Sequence, residues 1–244
     1  MHRLSTLVLR SIPVAMLSLL GACAGVPRDA SLPIDDPYEK NNRVAFAANQ
    51  AALHPVSVII KAATPGPVHD RLHDLNANLR EPRIFANDVL QLRIDAAVKT
   101  VGRFITNSTI GLGGLFDIAG QAGLSQQSGD FGQTLFVWGV PAGSYVVLPY
   151  FGPSTGRDAA GLVVDEVADP VGLALGKLFG WGATVGTGVL DAAVRLSEFK
   201  EAEDVSIDFY SFARSAYYQT RRSDLREAIG QPNVVESPAT TPQR

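Results

Sequence analysis

The sequence predicts a mainly α protein: a single domain of short amphipathic helices with one small β-hairpin. Three observations predict it. Ile94, Val98, Val101 and Ile105 recur at helical spacing along Ile94 to Asn107, with Asp95, Lys99 and Arg103 on the other side. Glycine at 23 positions and proline at 15 interrupt the chain so often that the helices are expected to be short. One region alone sets two β-branched, aromatic runs about a turn: Thr134 to Trp138 and Tyr145 to Tyr150, flanking Gly139-Val140-Pro141-Ala142-Gly143-Ser144.

The chain opens with a leader. Met1 to Arg10 carries Arg3 and Arg10, Ile12 to Leu20 is apolar, and Leu20-Gly21-Ala22 precedes Cys23, the only cysteine of 244 residues. A basic start, a short apolar core and small residues before a break mark a secretory signal, too short to span a bilayer. Leu-Gly-Ala-Cys resembles the lipobox of bacterial lipoproteins, in which cleavage leaves the cysteine as the acylated first residue. An ordinary secreted protein with a stray thiol is the alternative. Ala24 follows the cysteine rather than Asp, which by analogy with enterobacterial sorting favours the outer membrane. The expected division is residues 1–22 as signal, 23–35 as lipidated tether, 36–230 as the helical domain and 231–244 as a polar, disordered tail.

Within the domain, Asp36 and Glu39 suit a capping box with Pro37 at the first helical position, and this helix is expected to reach Leu53, before Pro55. Val68 to Leu79 reads as a helix ending before Pro82, and Ile84 to Leu92 as another. The glycine-rich run Asn107 to Gly114 closes the Ile94 helix. Leu115 to Gly120 allows one more helical turn, and Gly123 to Gly129 is polar loop. Arg157 to Val167 is helical. Phe199 to Ile229 is a long helical pattern with Val205, Phe209, Phe212 and Ala216 on one face and Tyr217, Tyr218, Arg221 and Arg222 crowded at its end. Val171 to Val194 is the most apolar stretch. Its charge-free part, Leu178 to Leu190, reaches only ~20 Å as a helix against a ~30 Å hydrocarbon core, so it reads as buried core or as an interfacial segment.

Cleavage before Cys23 leaves 222 residues with nineteen basic and twenty-four acidic side chains, a net charge of −5. That balance, with no basic run, argues against nucleic acid. With the lone cysteine acylated no disulfide can form, so packing alone holds the fold. Hydrophobic residues make up 46% against 18% charged, an apolar excess that suggests contact with lipid or partners.

No motif builds a credible active site, and no cofactor or metal is expected. Gly152-Pro153-Ser154-Thr155-Gly156 matches G-x-S-x-G, yet His2, His54, His69 and His73 all precede Ser154, the reverse of the order a serine hydrolase needs. Gly111-Leu112-Gly113-Gly114 has Phe116 where a dinucleotide fingerprint needs its third glycine. His69 and His73 are one turn apart beside Asp70 and Asp74, but no third zinc ligand has suitable spacing. Asp165 and Glu166 are adjacent and diverge on a helix.

An ordered set of blocks does carry information. Asp36-Pro37-Tyr38-Glu39 with Asn42-Arg43 is followed by Asn78-Leu79-Arg80-Glu81-Pro82, Asn87 and Leu90-Gln91. Next come Arg103-Phe104, Asn107 through Gly114, and Asp117-Ile118-Ala119. The most specific block is Asp130-Phe131-Gly132-Gln133-Thr134-Leu135, Trp138-Gly139, Tyr145, Leu148-Pro149, Gly152-Pro153-Ser154 and Arg157-Asp158. Behind a lipobox, this set resembles the VacJ/MlaA lipoproteins over about residues 36 to 220.

The resemblance implies a ring of amphipathic helices around a channel, lodged in the periplasmic leaflet of the outer membrane and associated with trimeric porins. It implies a non-enzymatic role: taking mislocalised phospholipid from the outer leaflet and passing it to a soluble periplasmic carrier, which maintains lipid asymmetry. The family's mobile hairpin loop maps onto Gly139 to Ser144. Here Pro141-Ala142-Gly143-Ser144 replaces the usual Gly-Pro-Gly-Pro and Phe136 replaces a common glycine. Cys23 is thus the expected anchor and Gly143 the expected hinge. Val137, Trp138, Val147 and Leu148 are expected as hairpin surface near lipid, or else as hairpin core. A porin-scaffolding lipoprotein that moves no lipid and a hydrolase using Ser154 are the rival readings.

Overall fold

The computed structural model describes residues 35–63, 66–169, 172, 203 and 205–231. Among them are seven helices and one two-stranded sheet. The order is α1 (Glu39–Ala63), α2 (Gly66–Leu90), α3 (Ile94–Thr109), the one-turn α4 (Ile118–Gln121), α5 (Phe131–Val137), β1 (Tyr145–Leu148), β2 (Gly152–Thr155), α6 (Gly156–Ala168) and α7 (Phe209–Ala228). The expectation of a mainly α chain with one small β-hairpin holds. Cys23, the leader and almost all of the apolar run 171–194 lie outside the described residues, as does the tail beyond Gln231.

The first helices are longer than expected because two prolines lie inside them: Pro55 in α1 and Pro82 in α2. Each removes one backbone donor and leaves the carbonyl four residues back without its helical partner. Packing overrides this local penalty in α2, which buries Asn78, Glu81, Ile84, Asn87 and Asp88 against its surroundings. The expected break between Leu79 and Ile84 is therefore absent.

The hairpin is displaced from its expected position. Thr134 to Trp138 is the end of α5 and its cap, not a strand. The cause is a capping box: Asp130 accepts from the Gln133 backbone N–H at 2.8 Å, and the Gln133 side chain accepts from the Asp130 N–H at 3.3 Å. β1 pairs instead with β2, antiparallel, with Tyr145 opposite Thr155 and Leu148 opposite Gly152. The turn is at Pro149–Phe151, and Gly139 to Ser144 links α5 to β1.

A two-stranded sheet leaves free edges, and α1 satisfies one of them with asparagines. Asn42 donates to the Tyr145 carbonyl at 3.2 Å and accepts from Val147 N–H at 2.9 Å. Two turns on, Asn49 donates to the Leu148 carbonyl and accepts from Tyr150 N–H, both at 2.8 Å. Side-chain amides thus stand in for a third strand. Behind them Phe46, Phe136, Tyr145, Val147, Tyr210, Tyr218 and Leu225 form the hydrophobic core.

Two expectations at the chain ends change. Asp36 does not cap α1: its carboxylate accepts from Asn42 at 2.7 Å, from Arg214 at 3.0 Å and from the Tyr210 hydroxyl. Arg43 bridges Glu39 and Asp208, so the start of α1 is tied to the start of α7. α7 begins at Phe209, capped by Asp208, and Val205 lies exposed outside the helix it was expected to join.

Gly161 on α6 lies where a Cβ would come within 2.3 Å of the Gly132 backbone nitrogen of α5. Backbone cannot yield cheaply, so Gly161→Ala is expected to cost about 1–3 kcal/mol, read as a lowered midpoint in thermal unfolding.

Candidate functional site

The described residues have an inverted polarity. On α3 the apolar stripe faces outward: Ile94 is 61% exposed, Val98 67% and Ile105 56%. Its buried side holds Thr100, Arg103 and Asn107 beside two alanines. Arg103, expected with Asp95 and Lys99 on a polar outer face, is 1% exposed, while those two are exposed as expected. Leu92, Ile110 and Leu112 extend the outer apolar surface from both ends of α3, and Val163 and Val167 repeat it on α6. An apolar face this large demands a cover. No helix among the described residues is long and apolar enough to cross a membrane.

The interior is correspondingly polar and connected. Arg103 donates to Glu81 of α2 at 2.8 Å, lies 3.1 Å from Asp117 and also donates to the Leu124 carbonyl. Thr134 donates to Asn87 at 2.7 Å and accepts from Gln91 at 3.0 Å, while Asn87 donates to Asp165 at 3.1 Å. Thr100 donates to Asp88 at 2.8 Å. The tightest knot is Arg221 of α7. It clamps both oxygens of Asp130 at 2.5 and 3.0 Å and both of Asp158 at 2.8 and 2.7 Å, with the Tyr217 hydroxyl on Asp158 at 2.6 Å. Buried polar groups linked across helices in this way favour one arrangement of those helices.

Beside this knot lie two cavities. One, of about 320 Å³, is strongly charged; Arg80, Arg83, Asp158, Glu166, Arg221 and Asp224 are among its lining. The other, of about 250 Å³, is mostly apolar, with Phe46, Leu53, Phe209 and Ala213 in its wall. Phe151, Pro153, Tyr217 and Thr220 line both. A polar compartment thus shares a wall with an apolar one, the arrangement an amphipathic molecule needs.

Titration in this region runs in two directions. Burial pushes the Asp158 carboxyl up, but Arg221 outweighs it and holds the group at about 2. Burial lifts Asp224 to about 7, with Arg221 opposing and Asp130, Glu227 and Asp158 reinforcing the rise. Burial also lifts Asp88, to about 6. The stability from Asp158 is present above the ordinary carboxylate range and lost as pH falls toward 2. Above the ordinary carboxylate range the folded state holds a proton on Asp224 that the unfolded chain has released, so stability falls as pH rises toward 7 and levels off beyond it. The unfolding midpoint is therefore expected to drop between about pH 4 and pH 7 and to level off above that, and Asp224→Asn to flatten the slope, leaving the part up to about pH 6 that belongs to Asp88.

The expected site residues scatter. Gly143 adopts φ +70° in the α5–β1 linker, against Gly156. Trp138 is exposed, stacks edge-on against Phe131 and donates to the Leu90 carbonyl. Val137 is half-buried at the end of α5, and Leu148 lines the charged cavity. Val147 is core, not surface. Ser154 is buried on β2, paired across from Val146 and not on a strand-to-helix elbow. Asp165 accepts from Asn87 and the Phe131 N–H. His73 is exposed, and among the described residues no group of three His, Cys, Asp or Glu could hold a metal. Arg83, Arg221 and Asp224 were not foreseen, although Arg221 stood in the crowded end of the last helix.

A family model described as MlaA lipoprotein matches residues 34–224. The intermembrane phospholipid transport system lipoprotein MlaA of Escherichia coli K12 is 31% identical over 232 residues, covering 91% of this chain and 89% of its own. The corresponding protein of Haemophilus influenzae is 31% identical over 219 residues, 85% of this chain and 84% of its own. An uncharacterized protein of Rickettsia felis is 34% identical over 207 residues, 83% and 82% respectively. A solved chain concerned with the structural basis for maintenance of bacterial outer membrane lipid asymmetry superimposes with a TM-score of 0.63 at 30% identity, covering 78% of this chain and 99% of that one. The chain belongs to the MlaA lipoprotein family.

Proposed function

We propose that this protein is a conduit in intermembrane phospholipid transport. It removes mislocalised phospholipid from the outer leaflet of the outer membrane and passes it to a soluble periplasmic carrier, which maintains lipid asymmetry. The observation that carries this is the inverted polarity joined to the paired cavities: apolar side chains outward, charged networks inward, and a polar compartment against an apolar one. A phospholipid in transit needs cover for its chains, at ~0.8 kcal/mol per exposed CH₂, and polar partners for a headgroup that is costly to strip of water. The names borne by its relatives agree with this reading.

In this proposal Cys23 carries the lipid that holds the protein to the outer membrane, residues 1–22 are the cleaved signal, and 24–35 are the tether. The outward faces of α3 and α6, with Val137 and Trp138, contact lipid, and a trimeric porin supports the protein within the membrane. No step needs an enzyme: movement is passive, drawn by handover to the carrier.

Gly143 is the proposed hinge. The linker is pinned where Arg157 N–H meets the Ala142 carbonyl at 2.9 Å and Gly156 N–H meets the Ser144 carbonyl at 3.1 Å. At φ +70° it holds a backbone conformation closed to proline, whose ring fixes φ near −65°. Gly143→Pro is expected to leave the helical circular dichroism intact and to impair transport; normal lipid asymmetry in that strain would remove the hinge from the account.

The test of the function is deletion of the gene, with phospholipid in the outer leaflet measured by surface labelling. Exposure rises in the deletion strain, wild type restores it, and Cys23→Ala does not. Unchanged exposure would favour a porin scaffold that moves no lipid.

A further inference from the structure

Three arginines and five carboxylates line the charged cavity, a net of two negative charges when all are ionised. Most of these charges are committed. Arg221 is bound by Asp130 and Asp158, and Asp165 accepts from the Asn87 amide and the Phe131 N–H. Two groups of this lining, one on α2 and one on α7, stand differently. Arg83 of α2 has its Nε buried without a hydrogen bond. Asp224 of α7 feels burial and the repulsion of Asp130, Glu227 and Asp158, which outweigh the pull of Arg221. A buried donor without a protein acceptor and a buried carboxylate among like charges are both costly, and a ligand carrying an anion and a cation relieves both.

We infer that this compartment selects phospholipids with a zwitterionic headgroup, Arg83 taking the phosphate and Asp224 the ammonium. The inference rests on the conduit reading above and adds headgroup selectivity to it. The apolar compartment across Phe151 and Thr220 receives the start of the acyl chains, which identifies the phosphate as a lipid's rather than that of a soluble phosphoester. A net negative wall disfavours phosphatidylglycerol, whose headgroup brings a negative charge and no cation. Phosphatidylethanolamine brings both charges, and a charge-assisted hydrogen bond to each of the two groups.

The test uses the full-length acylated protein in detergent, mixed with equal amounts of dihexanoyl phosphatidylethanolamine and dihexanoyl phosphatidylglycerol, with retained lipid counted by native mass spectrometry. Wild type is expected to retain phosphatidylethanolamine at least fivefold over phosphatidylglycerol. Asp224→Asn brings the ratio within twofold, Asp224→Glu keeps a clear preference, and Arg83→Gln weakens retention of both lipids. Equal retention by wild type overturns the selectivity and leaves the conduit standing. A preference that persists in Asp224→Asn overturns the assignment of the ammonium to Asp224. Full displacement of the lipid by glycerophosphoethanolamine overturns the lipid origin of the phosphate. Retention of neither lipid overturns this inference together with the conduit.

Discussion

Arg221→Met is expected to cost about 3–5 kcal/mol, a large share of the roughly 5–15 kcal/mol by which a domain is stable. Arg221 is 7% exposed and is the shared partner of Asp130 and Asp158. Removing it leaves Asp130 without its arginine, and Asp158 with Arg157 at 2.9 Å and the Tyr217 hydroxyl at 2.6 Å. Asp158, held at about 2 chiefly by Arg221, loses the largest of the interactions that offset its burial. Asp130 also caps α5, so the damage spreads from α7 to α5 and α6. Arg221→Lys keeps the charge but not the planar fork that reaches four oxygens, and an intermediate loss is expected. Adding Asp130→Asn to Arg221→Met should recover part of it, because the carboxylate left without a cation is removed while Asp158 keeps its pairing with Arg157 at 2.9 Å. Urea unfolding reads all three. A wild-type midpoint for Arg221→Met would mean that the knot contributes no net stability.

The second large effect concerns the outer face. Val98 and Ile105 contact little of the interior, so Val98→Asp with Ile105→Asp should leave folding within about 0.5 kcal/mol of wild type for each change. In lipid the same pair is costly, about 2.5–3.5 kcal/mol for each aspartate at full depth and less near the headgroups. In a Cys23→Ala background, where no acyl chain anchors the protein, the apolar face alone should keep it on vesicles. The added aspartates should release it while its melting curve stays in place. Vesicle flotation measures this, and retention of the double aspartate variant would show that the face is covered by something other than lipid.

How much of this was legible in the sequence differs by element. The periodicity of Ile94 to Asn107 predicted α3 almost to its ends, and the Arg157 to Val167 pattern predicted α6. What periodicity cannot say is which face points inward. A stripe of valine and isoleucine reads as core in water and as exterior in lipid, and only Arg103 meeting Glu81 across the helix pair decides it. Pro82 was read as a stop because proline breaks isolated helices; the packing of Glu81 and Ile84 on either side of it carries α2 through. Thr134 to Trp138 has the β-branched and aromatic character of a strand, yet the Asp130–Gln133 capping box directly before it starts a helix.

The site was less legible than the fold. Arg83 and Asp224 are 141 positions apart, and a charged residue in a sequence defaults to a solvated face. Their meeting in one cavity depends on how α2 and α7 pack, information that no local pattern holds. The same holds for Asn42 and Asn49, which look like ordinary polar helix residues until β1 lies beside them. The ordered motif blocks mark Asn42, Asp130, Gly132 and Asp158 without giving a physical reason for them. Asp130 caps α5 and holds Arg221, Gly132 lies against the Arg221 and Asp158 side chains, and Asp158 anchors the knot.

The central claim is that phospholipid occupies the interior as well as bathing the exterior. A photoreactive phenylalanine analogue placed at Thr220, on the wall shared by both cavities, and separately at Val98, on the outer face, tests it in living cells. Irradiation followed by mass spectrometry of the purified protein is predicted to find phospholipid attached at both positions. Attachment at Val98 with none at Thr220 would contradict the account, leaving a protein that lies in lipid without passing it through.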